Sequence, residues 1–184
     1  MTSVLIGGSR SVSRMNFVIR ARLDEFIHRG CTIFVGDANG ADKAVQKHLA
    51  SRGYKNVVVY CVNECRNNIG SWQTRQVKVP SQTTGFAHYA AKDLAMAEDA
   101  KCGAMLWDGK SKGTLNNVQN LIGRGKKTLV YFAPTKKFYK LSSSSDLRDL
   151  LAHCSKTDVE HAQRQIKEKL LSPLGHQLTL HSYR

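Results

Sequence analysis

Three glycine-rich stretches of this 184-residue chain have the residue types of anion-binding turns. In the first, Gly7-Gly8-Ser9-Arg10, glycine lets backbone approach a phosphate, Ser9 adds a hydroxyl and Arg10 a guanidinium fork. The second, Gly36-Asp37-Ala38-Asn39-Gly40-Ala41-Asp42, adds carboxylates to small residues. Asp42 reads as a local cap in a first helical turn, with a ribose hydroxyl or a metal as the alternative, and Asp37 is left open. In the third, Trp107 to Thr114, the residues Gly109, Lys110, Ser111, Lys112, Gly113 and Thr114 resemble a phosphate cradle. Any one of these stretches reads equally well as a tight turn. The spacing is neither G-x-G-x-x-G nor the Walker A pattern, so dinucleotide binding of the usual kind and ATP hydrolysis gain no support. Three such loops at three strand ends of one sheet are far harder to obtain by accident.

The elements that must position these loops alternate. Apolar runs at Ser3–Ile6, Thr32–Val35, Val57–Tyr60, Gly103–Trp107 and Thr128–Phe132 read as strands buried on both faces. Helical spacing lies between them: Phe17 to Ile27, Ala41 to Leu49, Ala91 to Ala97 and Leu115 to Ile122. Residues 62–84 lose periodicity and read as a long loop of the kind that is usually functional. The pattern predicts an α/β fold, a Rossmann-like doubly wound and mainly parallel five-stranded sheet. The domain is expected over residues 1–134. Residues 135–184 read as a C-terminal helical extension packed on it: a short strand at Phe138–Leu141 and two helices, the last from about Asp158 to Leu171. In such sheets ligands bind beyond the carboxyl ends of the strands, where all three loops fall.

Composition narrows the class. Lys and Arg number 28 against 14 Asp and Glu, a formal charge of +14, which favours an anionic ligand without choosing between a polymer and a small phosphate. The densest stretch, Lys110 to Lys140, is expected to spread over several faces, and aromatic interleaving is thin. No apolar run reaches membrane-spanning length and the N-terminus lacks the character of a secretory signal, so the chain is expected in the cytoplasm. Cys31, Cys61, Cys65, Cys102 and Cys154 then read as reduced, mostly buried thiols, with neither metal nor cofactor expected.

Taken together, Gly8-Ser9-Arg10, the GDANGAD of residues 36–42 and the SKGT of residues 111–114 resemble the motifs of the SLOG superfamily over about residues 3–133. That group includes LOG-type phosphoribohydrolases, the DNA-processing DprA proteins and the YspA/YpsA-like branch, to which the likeness is greatest. The resemblance implies binding of a nucleotide or nucleotide-derived ligand at these loops. Some members cleave N-glycosidic bonds, some bind single-stranded DNA and some sense signals. Two departures bear on chemistry: the LOG-type Glu is replaced by Asn116-Asn117, and its upstream Arg by Lys92. An amide cannot serve as general base or stabilise an oxocarbenium ion as a carboxylate does.

The sequence therefore favours nucleotide binding, as a sensor or carrier, through Gly7, Gly8, Ser9, Arg10, Gly36, Asp37, Ala38, Gly40, Asp42, Lys92, Gly109, Lys110, Ser111, Gly113 and Thr114. Whether any reaction is catalysed stays open. The first alternative is a nucleoside or nucleotide N-glycosidase using Asp37, Asp42 or Asp108 in place of the missing Glu, with Asp108 the best placed as an acid near the anomeric carbon; the second is a single-stranded nucleic-acid-binding module. Asp93 is a further candidate for ribose, and Trp72, His88 and Tyr89 for stacking a base. The apolar stripe of the last helix makes a second copy of the chain a further expected partner.

Overall fold

In the computed structural model, residues 1–80, 82, 85–158, 160 and 164 are described. Twelve elements follow one another: β1 (Ser3–Gly8), α1 (Phe17–His28), β2 (Thr32–Gly36), α2 (Ala41–Ser51), β3 (Val57–Val62), β4 (Gln73–Val77), α3 (Gly85–Asp99), β5 (Cys102–Trp107), α4 (Lys112–Gly123), β6 (Thr128–Phe132), β7 (Lys137–Leu141) and α5 (Ser144–Leu151).

Strand side chains alternate between two cores, as the period of two requires. Val4, Ile6, Ile33, Val35, Val57 and Val59 face one side with Ile19 and Leu23 of α1 and Val45 and Leu49 of α2. Leu5, Tyr60, Met105, Trp107, Val130 and Phe132 face the other, under Met96 of α3, Leu115 and Val118 of α4 and Leu147 and Leu150 of α5. That two-sided burial is why the strands read as unbroken apolar runs.

The sheet order is β4-β3-β2-β1-β5-β6-β7. All pairs are parallel except β6 with β7. After β1 the chain builds outward through β2, β3 and β4, then returns along α3 to lay β5 on the other edge of β1. The reversal falls between β1 and β5 and opens a crevice there.

The five expected strands are all present, but the sheet has seven. One addition is the antiparallel β7, at the short strand expected after Pro134. The other, β4, corrects the reading of residues 62–84 as loop throughout: its sequence Gln-Thr-Arg-Gln-Val pairs parallel with β3. As an edge strand exposed along most of its length it carries no apolar signal. Trp72, just before it, is buried in the first core and donates its indole N–H to the Tyr54 carbonyl at 2.8 Å.

The Ser142–Ser145 run caps α5 as its residue types suggest: Ser143 and Asp146 form a capping box. The expected last helix, Asp158 to Leu171, lies mostly outside the described residues. Among the described residues no helix is long and apolar enough to cross a membrane.

Candidate functional site

The first loop is locked to the third. The backbone N–H of Ser9 donates to the Leu106 carbonyl at 2.8 Å. Its hydroxyl donates to Asp108 at 3.0 Å and lies 3.1 Å from the Thr114 hydroxyl. A Cβ on Gly8 would collide with the Leu106 carbonyl oxygen, so only glycine lets β1 end this close to β5. The second loop closes on the first: Ala41 N–H donates to the Ser9 carbonyl at 3.3 Å, and Gly40, at φ +86°, lies against the Arg10 backbone.

Asp108 is the hub of this assembly. One of its oxygens accepts from the Ser9 hydroxyl and from the N–H groups of Lys110 and Ser111 at 3.0 and 2.8 Å, the other from Ser11 at 2.6 Å. Burial raises the carboxyl's pKa, but these donors outweigh it and hold the group below the usual aspartate range. The geometry gives Asp108 a positioning part.

The three loops frame a cavity of about 620 Å³ at the β1–β5 crevice. Of the residues the sequence singles out, Gly7, Gly8, Arg10, Ala38, Asp42, Lys92, Asp108, Ser111, Gly113 and Thr114 line it. Ser9 is buried behind the wall, and Gly36 lies under the Asp42 carboxylate and the Lys92 ammonium. Gly109 packs on Phe132, and Lys110 points outward, 3.9 Å from Asp158. Asp37 borders an adjoining cavity of about 420 Å³ that shares Arg66, Tyr89 and Lys92 with the first. The two ends of the main cavity differ in character. Arg10, Lys112 and the opening turn of α4 bring positive charge to one end, beside the Asp108 carboxylate that accepts from the Lys110 and Ser111 N–H groups. Ser111 caps that helix by accepting from the Thr114 N–H, and nothing lies within 4 Å of where a Gly113 side chain would start.

Carboxylates crowd the other end. Lys92, 4% exposed, lies 3.0 Å from Asp93 and 3.9 Å from both Asp37 and Asp42. Burial pulls the ammonium's pKa down, but Asp93, Asp42 and Asp37 outweigh it and leave it above the ordinary lysine value. Arg66 pairs with Asp37 at 2.8 Å; burial raises that carboxyl, and Arg66 and then Lys92 overcome it to keep it low. Asp42 moves the opposite way: burial, with Asp93 and Asp37 adding to it against Lys92, pushes its pKa up to about 6. Asp42 also accepts from the Ala38 N–H at 3.2 Å, a local cap within the second loop.

Asn117, one turn along α4 from Gly113, donates its side-chain N–H to Asp93 at 3.1 Å. Its Oδ1 is the one buried side-chain polar atom without a hydrogen-bond partner among the described residues. Such an orphan costs on the order of 1–3 kcal/mol.

Of the aromatic candidates, Tyr89 is 41% exposed and lies under the Arg66 guanidinium at 4.8 Å, lining both cavities. His88 borders the smaller one, and Trp72 is core. Arg66 and Ser11 went unnoticed in the sequence; only the aperiodic stretch after β3 hints at Arg66. Glu98 and Asp99 lie at the far end of α3, paired with Arg124 at 3.4 Å and Arg75 at 3.2 Å. The five cysteines are free thiols; burial and then the Cys61 thiol push Cys65 up to about 12. Among the described residues no group of three His, Cys, Asp or Glu could hold a metal ion.

No protein-family model matches this chain, and no curated protein sequence matches it. Solved structures do match. One is DNA processing protein A from Helicobacter pylori, described for its single-stranded DNA binding mode. The likeness covers 91% of this chain and 81% of that one, at a TM-score of 0.56 and 13% identity. A likeness of this kind defines the class by fold: this is a Rossmann-like α/β protein built like DNA processing protein A. At the level of fold it agrees with the superfamily resemblance carried by the three loops.

Proposed function

We propose that the cavity binds a nucleotide or nucleotide-derived ligand, as a SLOG-like protein of the YspA/YpsA-like branch would. Phosphate lies against Arg10, Lys112 and the first turn of α4, and the sugar lies toward Asp42, Lys92 and Asp93. The observation that carries this reading is the open space at Gly113. Of the first-turn N–H groups of α4 that of Thr114 is taken by the Ser111 hydroxyl, and where the turn borders the cavity at Gly113 no side chain covers it. The cavity's size also falls within the range of small-molecule sites, roughly 300–1,000 Å³. Titration calorimetry with mononucleotides, dinucleotides and cyclic nucleotides tests it. Binding by at least one is expected, and silence from all of them overturns the reading.

One observation favours a second reading, N-glycosidic cleavage. Asp42 lines the cavity with a pKa near 6, the range in which a carboxyl can deliver a proton at neutral pH. Asp108 is less suited, since both its oxygens already hold loop donors. Under this reading, chromatography detects free base released from a nucleotide, the release disappears in Asp42→Asn, and it survives in Glu98→Gln. No base release from any nucleotide that binds leaves a sensor or carrier.

A further inference from the structure

Helix α1 buries Ile19 and Leu23 in the first core. Phe17 stands two residues before Ile19, about 200° around the helix, and so points away from that core. Its side chain is 83% exposed, more than any other large apolar residue described except the terminal Met1. Val18 beside it is 41% exposed. The turn that presents this pair is held in place. Asn16 caps α1 by accepting from the Ile19 N–H at 3.0 Å, and its amide donates to the Tyr131 hydroxyl at 2.7 Å, tying the helix start to β6. A ring fixed before a partner arrives gives up little freedom on binding.

The surrounding residues have the composition of a protein interface. From position 10 to position 22 the chain carries Arg10, Arg14, Arg20 and Arg22 but no lysine and no acid, although lysine is the commoner cation in the whole chain. Aromatic residues and arginine are enriched where proteins meet, and lysine is depleted. Arg20 is three residues on from Phe17 and is its neighbour on the helix surface. Arg14 and Arg20 are exposed, and neither forms an ion pair among the described residues. Toward β7 the patch ends at Arg22, which pairs with Glu25 and lies over the Phe138 ring at 5.5 Å.

Charge selects the occupant. A second copy seated face to face sets these arginines against their own mates. Residues 165–184 of this chain carry Lys167, Lys169 and Arg184 against Glu168 alone, so they are repelled too. A single-stranded nucleic acid suits the arginines, but it draws its affinity from successive aromatic platforms, and here a single ring is followed by aliphatic Val18. We infer that the Phe17–Val18 face of α1 docks an acidic segment of another protein, which packs an apolar side chain on Phe17 and sets carboxylates on Arg14 and Arg20. Phe17 borders neither cavity of the candidate site, so the inference is independent of the nucleotide reading.

Selection from a random peptide library, with members of about 15 residues, tests it. The library is depleted on the whole chain carrying Phe17→Ser and then selected on the unaltered whole chain. The expected survivors share several Asp or Glu residues around an aliphatic or aromatic one. Resynthesised and followed by fluorescence anisotropy, they should bind about tenfold or more weakly to Phe17→Ser, as truncation of an interface anchor costs. A similar loss is expected in the charge reversal Arg14→Glu with Arg20→Glu. These side chains face solvent, so melting temperatures should match the parent; the charge reversal leaves the apolar residues in place and serves for the depletion if Phe17→Ser melts lower. The inference is overturned if no peptide survives depletion, if survivors show no excess of acids, or if the charge reversal binds them undiminished. Binding of an oligothymidylate that displaces the peptides and weakens tenfold in Phe17→Ser assigns the face to nucleic acid and overturns it as well.

Discussion

Two cations, Lys92 and Arg66, serve three carboxylates at the acceptor-rich end of the cavity, Asp37, Asp42 and Asp93. Their charges balance only while one carboxyl keeps its proton, and burial selects Asp42 for that part, with a pKa near 6 against an ordinary value of 3.8. A carboxyl whose pKa is raised by folding favours the folded state at low pH, and that contribution is lost as pH climbs through about 4 to 6. Asp42→Asn fixes the neutral form and removes this dependence. Thermal melts of the two proteins should therefore converge near pH 4 to 5, with the variant gaining on the parent by pH 7.5. A constant difference in melting temperature across that range would place Asp42 outside the titrating set. The types of these residues were legible in the sequence, since Asp37 and Asp42 belong to one motif and Lys92 was singled out. Their mutual arrangement was not, because it depends on α3 crossing back over the sheet to bring Lys92 and Asp93 to the second loop. Arg66 was invisible for the same reason: a lone arginine in an aperiodic stretch gains meaning only from the Asp37 carboxylate it meets.

At the scale of elements, glycine does two different jobs. Gly8 and Gly40 allow loops to touch one another, against the Leu106 carbonyl and the Arg10 backbone, whereas Gly113 opens onto the cavity. The sequence shows three glycine-rich turns of similar look and does not separate these roles, since the distinction lies in what a missing Cβ would meet. Substitution separates them. Gly8→Ala forces a carbon into the Leu106 backbone and should destabilise the fold by about 1–3 kcal/mol, the usual cost of overpacking. Gly113→Ala meets nothing within 4 Å and lies inside α4, where alanine is better by roughly 0.5–1 kcal/mol. Its denaturation midpoint should hold or rise while its affinity for nucleotide drops about tenfold or more. If Gly113→Ala binds as tightly as the parent, the first turn of α4 does not hold the phosphate. Elements buried on both faces were legible for the reason that the whole pattern was: each strand must satisfy two cores. The edge strand β4, facing solvent along most of its length, obeys no such constraint and left no trace in the hydrophobic pattern.

At the scale of the whole molecule the question is what a charge of +14 is for. Among the described residues, element order places cations at both rims of the sheet. Arg10, Arg66, Lys110 and Lys112 lie at the carboxyl ends of the strands, while Arg29, Lys55, Lys101, Arg124, Lys126 and Lys127 occupy the helix-to-strand turns at the other end. Since α4 alone is 12 residues, about 18 Å, long, these sets are separated by the thickness of the domain. A polymer bound at the cavity would engage only the first set. Salt then distinguishes a small ligand from a strand, because each phosphate contact on single-stranded nucleic acid contributes roughly −0.7 to the slope of log affinity against log salt. A nucleotide making about two such contacts should lose less than about tenfold in affinity between 50 and 200 mM salt. A strand making six to ten contacts loses several hundredfold or more under the same steps. We expect the shallow dependence for the nucleotide, and an oligodeoxynucleotide, if it associates at all, to do so steeply and without displacing the nucleotide. Competition between the two at the cavity, with a steep slope shared by both, would instead assign the loops to single-stranded DNA, which the structurally similar DNA processing protein A binds.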